Sequence, residues 1–232
     1  MRHKKKMLPI IVAVLLTVLV LFSTASFVFV KVSFDNTFGR TELSEYTSFL
    51  RYKDVEGLYD RELLSFMSGN NRLQGYLYGA DNTKGLVVLS HGMGGGAEGY
   101  MAETLYFVEH GYQVFGFDNT GCYRSEGKNC VGLSQSVIDL DAALSYIEGE
   151  SRFEGLPILL YGHSWGGYAV TAIFNYDHDI AASVSVAGFN KPMDMILEWT
   201  KNMMGNFAYI EYPYIYLYQK ILFGKNANLS AV

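Results

Sequence analysis

The chain has 232 residues, long enough for one sizeable hydrophobic core. Half of them are hydrophobic and the mean hydropathy is +0.10, an excess concentrated at the N-terminus. Residues 1–31 hold five basic residues and no acidic ones, which leaves 13 basic against 23 acidic in the remainder, net −10; without a basic stripe, nucleic acid is not an expected partner.

Leu8 to Val30 is a run of 23 residues without a charge. About 20 such residues cross a bilayer as a helix, and the basic Met1-Arg2-His3-Lys4-Lys5-Lys6 ahead of them is of the kind that stays in the cytoplasm. Two readings compete. A cleaved signal peptide has an apolar core of roughly 7–15 residues and a small-residue cleavage site, which Ser23-Thr24-Ala25 would provide. Phe27-Val28-Phe29-Val30 prolongs the run past that site and favours an uncleaved signal anchor. The expected layout is a cytoplasmic tail over 1–6, a membrane anchor over 7–30, and an exported remainder of a single-pass cell-membrane protein.

Residues 31–57 are polar and mixed in charge, and read as a stalk with a short helix over Thr41–Leu50 or as a disordered spacer. Leu63–Met67 and Leu73–Tyr78 flank the turn signal Ser68-Gly69-Asn70-Asn71 and predict an antiparallel hairpin. A strand–helix rhythm follows. Strands are expected over Gly85–Ser90, Tyr112–Phe117, Ile158–Tyr161 and Ile180–Ala187, with helices over Ala102–His110, Val131–Glu148 and Trp165 to about Tyr176. Short apolar strands alternating with helices indicate an α/β fold, a mostly parallel sheet with helices on both faces.

From Lys191 the rhythm breaks. Lys191–Met204 is helix-like, and Phe207–Phe223 carries Tyr209, Tyr212, Tyr214, Tyr216 and Tyr218. Tyrosine at every second position between 212 and 218 suggests a strand, with helices as the alternative. The tyrosines serve as packing or line a substrate. Cys122 and Cys130 stand eight apart in one polar stretch and are either a local loop disulfide or two unpaired thiols.

Three loops sit where the chemistry of a parallel sheet is expected, at the C-terminal ends of its strands. Gly162-His163-Ser164-Trp165-Gly166 joins a strand directly to a helix, the pattern of a strained turn that lifts one serine hydroxyl above the sheet. His91-Gly92-Met93-Gly94-Gly95-Gly96 is glycine-dense, so its amides can turn toward a bound oxyanion. Asp118-Asn119-Thr120-Gly121-Cys122-Tyr123-Arg124-Ser125-Glu126-Gly127 is the third.

In order and spacing these motifs resemble the α/β-hydrolase superfamily, in particular its serine aminopeptidase and monoglyceride-lipase-like branch, over about Arg61 to Asn190. The resemblance implies an α/β-hydrolase core over 58–190 and the start of a helical lid over 191–232. It implies Ser164 as nucleophile, the backbone amides of Met93 and Trp165 as oxyanion hole, and Asp118 as a structural residue rather than the catalytic acid. It implies ester, amide or peptide hydrolysis through an acyl-serine, without cofactor or metal. Tyr123 departs from the family pattern, which usually has a second glycine there. A dinucleotide fingerprint, Gly92-x-Gly94-x-x-Ala97 with Asp118 beyond it, is the rival reading. It leaves Gly162–Gly166 unexplained.

Ser164 needs a base, and the base an acid to orient it. Of the five histidines, His3 belongs to the cytoplasmic tail, and His91 and His163 belong to the two loops themselves. His110 and His178 follow helices that start at the functional edge, which puts His178 roughly 15–20 Å from Ser164. In the resembled family the catalytic Asp and His follow the lid, and neither is expected within this chain. The expectation is thus a fragment of a hydrolase, or a shortened protein that binds without turning over.

Overall fold

The computed structural model describes the backbone of residues 2–231 and the side chains of residues 7–231, so the side chains of the basic tail expected over 1–6 lie outside it. Helix α1 (Arg2–Thr37) carries the uncharged stretch and continues beyond Val30. An 18-residue window within it has a mean hydropathy of 2.6 and no buried residue, while Ser26 and Val30 near its end are buried.

A six-stranded sheet follows: β1 (Arg61–Ser68), β2 (Asn71–Tyr78), β3 (Leu86–Ser90), β4 (Gln113–Phe117), β5 (Ile158–His163) and β6 (Ala182–Val186). The spatial order is β1-β2-β4-β3-β5-β6. β1 and β2 form the predicted hairpin, turned at Gly69 with φ +57. β2 runs antiparallel to β4, and β4, β3, β5 and β6 are parallel.

The helices are α2 (Met101–Glu109), α3 (Gln135–Gly149), α4 (Trp165–Ala172), α5 (Pro192–Met204) and α6 (Ala208–Phe223). Strand side chains alternate between faces, and the central strands sort accordingly. Leu86 and Val88 of β3, Phe115 and Phe117 of β4, and Leu73 and Leu77 of β2 pack with Val137, Leu140, Leu144 and Ile147 of α3 and with Tyr168 and Ala169 of α4. Val87, Leu89, Val114, Tyr76 and Tyr78 face the other way, toward Met101 at the start of α2. With both faces covered, β3 and β4 are buried at every position, which is why they read as unbroken apolar runs.

A third cluster joins Val30, Phe34 and Phe38 at the end of α1 to Trp165, Met193, Ile196, Ile215 and Tyr218. This packing decides the conformation of the tyrosine-rich segment. As a helix it buries Ala208, Glu211, Ile215 and Tyr218, a 3–4 spacing that forms one stripe. A strand would scatter those residues over both faces.

The short helix expected over Thr41–Leu50 is not formed. Thr41 instead bridges Cys122, and the guanidinium of Arg40 donates to the carbonyls of Tyr123, Ser125 and Gly127. Residues 44–46 and 48 are exposed. Phe38 and Val55 are buried, and residues 38–57 lie against the domain as irregular chain with one 3₁₀ turn at Tyr52–Asp54.

Candidate functional site

β5 ends at His163 and α4 starts at Trp165, so Ser164 makes the turn between them. Its backbone has φ 54 and ψ −110, a conformation that costs a non-glycine residue about 1–3 kcal/mol and persists only where the surroundings enforce it. The surroundings are specific. Ser164 N donates to Val186 O of β6 at 2.8 Å, and Tyr168 N donates back to Ser164 O at 3.0 Å. A β-carbon on Gly162 would stand 2.2 Å from Gly166 O, and one on Gly166 would stand 1.9 Å from Ser90 O. The sharp turn exists because both positions lack a side chain.

That close approach also seats the glycine-dense loop on the turn. Gly95 N donates to Gly92 O at 3.3 Å, closing a four-residue turn with Met93 and Gly94 at its centre. Gly94 has φ +79, the value that position i+2 of a type II turn requires of glycine. Met93 at the tip is 38 % exposed. Trp165 opens α4, so its amide is among those a first helical turn leaves without an intrahelical acceptor. The Trp165 indole is buried and donates to Leu133 O at 2.6 Å, which fixes the start of the helix.

Tyr100, which nothing in the sequence marks, ties the two loops together. Gly92 N donates to Tyr100 Oη at 2.9 Å, and Tyr100 Oη lies 2.8 Å from His163 Nδ1. His91 is fully buried. Asn119 N donates to its Nε2 at 2.9 Å, so the ring proton sits on Nδ1 and goes to Gly92 O at 2.8 Å. Burial pulls its pKa down to about 4, against the hydrogen bond to Gly92.

Asp118 is equally occupied. Its carboxylate accepts from Ala97 N at 2.9 Å and from Tyr76 Oη at 2.7 Å. Burial pushes its pKa up to about 6 while those donors pull the other way. It is a brace for the glycine-dense loop. That arrangement overturns the dinucleotide reading, since the acid expected to hold a ribose is buried among protein donors. Asp139, a second buried acid that no motif in the sequence marks, accepts from Ser68 Oγ and from Thr120 N and Oγ1.

Tyr123 takes φ 41, the left-handed conformation that a glycine would take there. Its ring then covers Gly96, where a β-carbon would stand 2.3 Å from the ring. The loop keeps its course with a tyrosine in it.

Among the described residues no histidine hydrogen-bonds the Ser164 hydroxyl. His163 Nδ1 is held by Tyr100, and His110 is exposed, its ring tilted against that of Tyr106. His178 lies between Asp141 and Glu148 of α3, at 2.9 and 2.8 Å. It precedes β6, whose parallel neighbour β5 separates the two sheet edges by about 17–20 Å at 3.3 Å per residue. The cavity lined by Glu148, Glu150, Glu154, Pro157 and Asp179 is at that distant edge and away from Ser164.

The family described as "Serine aminopeptidase, S33" matches residues 81–227. Among curated proteins, the quorum-quenching protein AidA of Acinetobacter baumannii (strain MDR-ZJ06) is 28 % identical over 153 residues, covering 61 % of this chain and 50 % of AidA. The chain thus spans half the length of that relative. Among solved structures, the Pyrococcus furiosus esterase Pf2001 aligns with a TM-score of 0.57 at 17 % identity, over 81 % of this chain and 70 % of the esterase. The α/β hydrolase GrgF from Penicillium sp. sh18 aligns with a TM-score of 0.51 at 22 % identity, over 62 % and 53 % of the two chains. At these identities the structural likeness shows a shared fold.

Proposed function

The chain belongs to the serine aminopeptidase S33 family of α/β-hydrolases, and from that premise we propose that it is the nucleophile-bearing part of a membrane-anchored, extracytoplasmic serine hydrolase. Ser164 attacks the carbonyl carbon of an ester or amide and forms an acyl-serine. The amides of Met93 and Trp165 receive the oxyanion, an interaction of which one donor is worth roughly 10²–10³ in rate. The observation that carries this reading is the enforced φ of 54 at Ser164, at the start of a helix and against a glycine-dense loop.

A histidine must take the Ser164 proton and an acid must orient that histidine. Neither is supplied by the residues described, so the 232-residue chain alone is expected not to turn over. Met93 and Trp165 then bind a carbonyl without the base that would let Ser164 attack it.

The anchor reading rests on the uncharged stretch of α1, about 35 Å long at 1.5 Å per residue. α6 packs along the last third of that stretch. Ser26 Oγ donates to Glu211 Oε1 at 3.0 Å and Phe27 meets Tyr218 edge-on at 5.7 Å, while Phe34, beyond the stretch, meets the same ring at 5.1 Å. α5 and α6 also expose Met203, Tyr209, Ile210, Leu217 and Ile221. In this reading the lid lies at the outer surface of the bilayer, and an acyl chain or other apolar group is the fitting substrate.

A second reading is a catalytically silent binding protein, favoured by the lack, among the described residues, of a histidine hydrogen-bonded to the Ser164 hydroxyl. A serine-reactive fluorophosphonate probe separates the possibilities. Labelling that disappears in Ser164→Ala, slow in residues 1–232 and fast once a histidine-bearing continuation is supplied, is the hydrolase outcome. No labelling in either form, with a cooperative melt of residues 1–232, is the outcome for the silent protein.

A further inference from the structure

The loop after β4 doubles back on itself, and Gly121 sets how closely. With φ +71 it brings its two arms into contact: a β-carbon there would stand 2.2 Å from Asn129 O and 2.7 Å from Cys130 N. Cys122 follows on one arm and Cys130 on the other. Their sulfurs are 3.4 Å apart and both residues are buried. The residue after each cysteine, Tyr123 at φ 41 and Val131 at φ 60, is in the left-handed region. A β-branched residue there is a genuine outlier, so backbone strain is tolerated at the same two places that hold the sulfurs together.

The segment that leaves α1 lies across both arms. Thr41 N donates to Gly121 O at 2.9 Å, Tyr123 N to Thr41 O at 2.8 Å, and Cys130 N to Phe38 O at 2.7 Å. Cys130 Sγ also donates to Gly39 O at 3.2 Å. We propose that Cys122 and Cys130 are an oxidation site, a dithiol that a low-molecular-weight or protein disulfide converts to an intramolecular bridge beneath the 38–41 segment. Forming the bond takes the sulfurs from 3.4 Å to about 2.0 Å.

The chemistry balances as thiol–disulfide exchange. Cys130 as thiolate attacks one sulfur of an external RS–SR and expels RS⁻. Cys122 gives up its proton to solvent, attacks the Cys130 sulfur of the mixed disulfide and expels the second RS⁻. The protein loses two hydrogens and two electrons, and the external disulfide becomes two thiols. Cys130 is the better first nucleophile: the S–H that Cys122 shares with it raises the pKa of Cys122 and lowers that of Cys130. The bridge fixes the loop that carries Asp118, and so the brace under the glycine-dense loop beside Ser164.

The test needs no substrate and does not depend on the hydrolase reading. The full chain in detergent is equilibrated with a glutathione redox buffer, unfolded, alkylated without reduction and digested with trypsin. Cleavage after Arg124 and Lys128 puts the two cysteines in different peptides. The expected result is one linked pair, about 2 Da lighter than the two free peptides together, from monomeric protein. A melting temperature lowered by about 5 °C on adding dithiothreitol should accompany it. In Cys130→Ser that response should vanish. Quantitative alkylation of both thiols, linkage only between chains, or a dithiothreitol response that survives Cys130→Ser would each overturn the proposal.

Discussion

Tyr100 Oη stands 2.8 Å from His163 Nδ1 while accepting the amide of Gly92 at 2.9 Å. One phenol thus couples the turn that carries Ser164 to the loop that carries Met93. In Tyr100→Phe the amide of Gly92 and the imidazole of His163 lose their partner together. Leaving a buried donor unsatisfied costs about 1–3 kcal/mol, so the variant should melt several degrees lower. Thermal denaturation of the two proteins under one condition checks this.

Gly166 beside Ser164 and Gly149 far from it should respond oppositely to a methyl group. In Gly166→Ala the new β-carbon would stand 1.9 Å from the Ser90 carbonyl, a backbone atom that cannot move aside. We expect no folded protein on size exclusion. Gly149, the last residue of α3, has nothing within 4 Å of the place an added methyl would occupy. Gly149→Ala should stabilise by about 0.5–1 kcal/mol through helix propensity and lost unfolded-state freedom.

His178 makes stability depend on pH. Burial lowers its pKa, but the hydrogen bonds and charges of Glu148 and Asp141 outweigh that and the net shift is upward from 6.5. A folded pKa above the unfolded one means that the contribution is complete below about pH 6.5 and is lost as pH rises through the folded value. The difference in melting temperature between the parent chain and His178→Gln should therefore shrink between about pH 6 and pH 8. A gap that widens over that interval would contradict the assignment.

β6 is an open edge among the described residues. Ser183 and Ser185 donate to the carbonyls of Val170 and Gly167 under α4, while Val184 and Val186 are 51 % and 38 % exposed. An apolar, unpaired edge strand is a template for association. Val184→Lys should raise the monomer fraction of the 232-residue chain in light scattering at equal concentration, with little change in its melt.

Much of the fold was legible because it rests on local patterns. The unbroken apolar runs of β3 and β4, the 3–4 spacing in α3, and the Gly-x-Ser-x-Gly turn are each dictated within a dozen residues. Sequence alone therefore supplied the α/β class, the hairpin and the candidate nucleophile. The segment over 207–223 was ambiguous for the opposite reason. Its tyrosines fit two periods, and only the α1 surface that Ile215 and Tyr218 bury against selects the helix.

What the tertiary structure decided concerns residues far apart in the chain. Tyr76 meets Asp118, Ser68 meets Asp139, and Thr41 meets Cys122, pairings that no spacing in the sequence encodes because a side chain's partner across a sheet depends on strand order. The histidines divide between sequence and tertiary structure. Sequence already set His91 and His163 in the two loops and His178 a helix length away from Ser164. The structure supplied their partners, Asn119 and Gly92 for His91, Tyr100 for His163, Asp141 and Glu148 for His178, and proton transfer requires a contact that the fold gives each of those rings elsewhere.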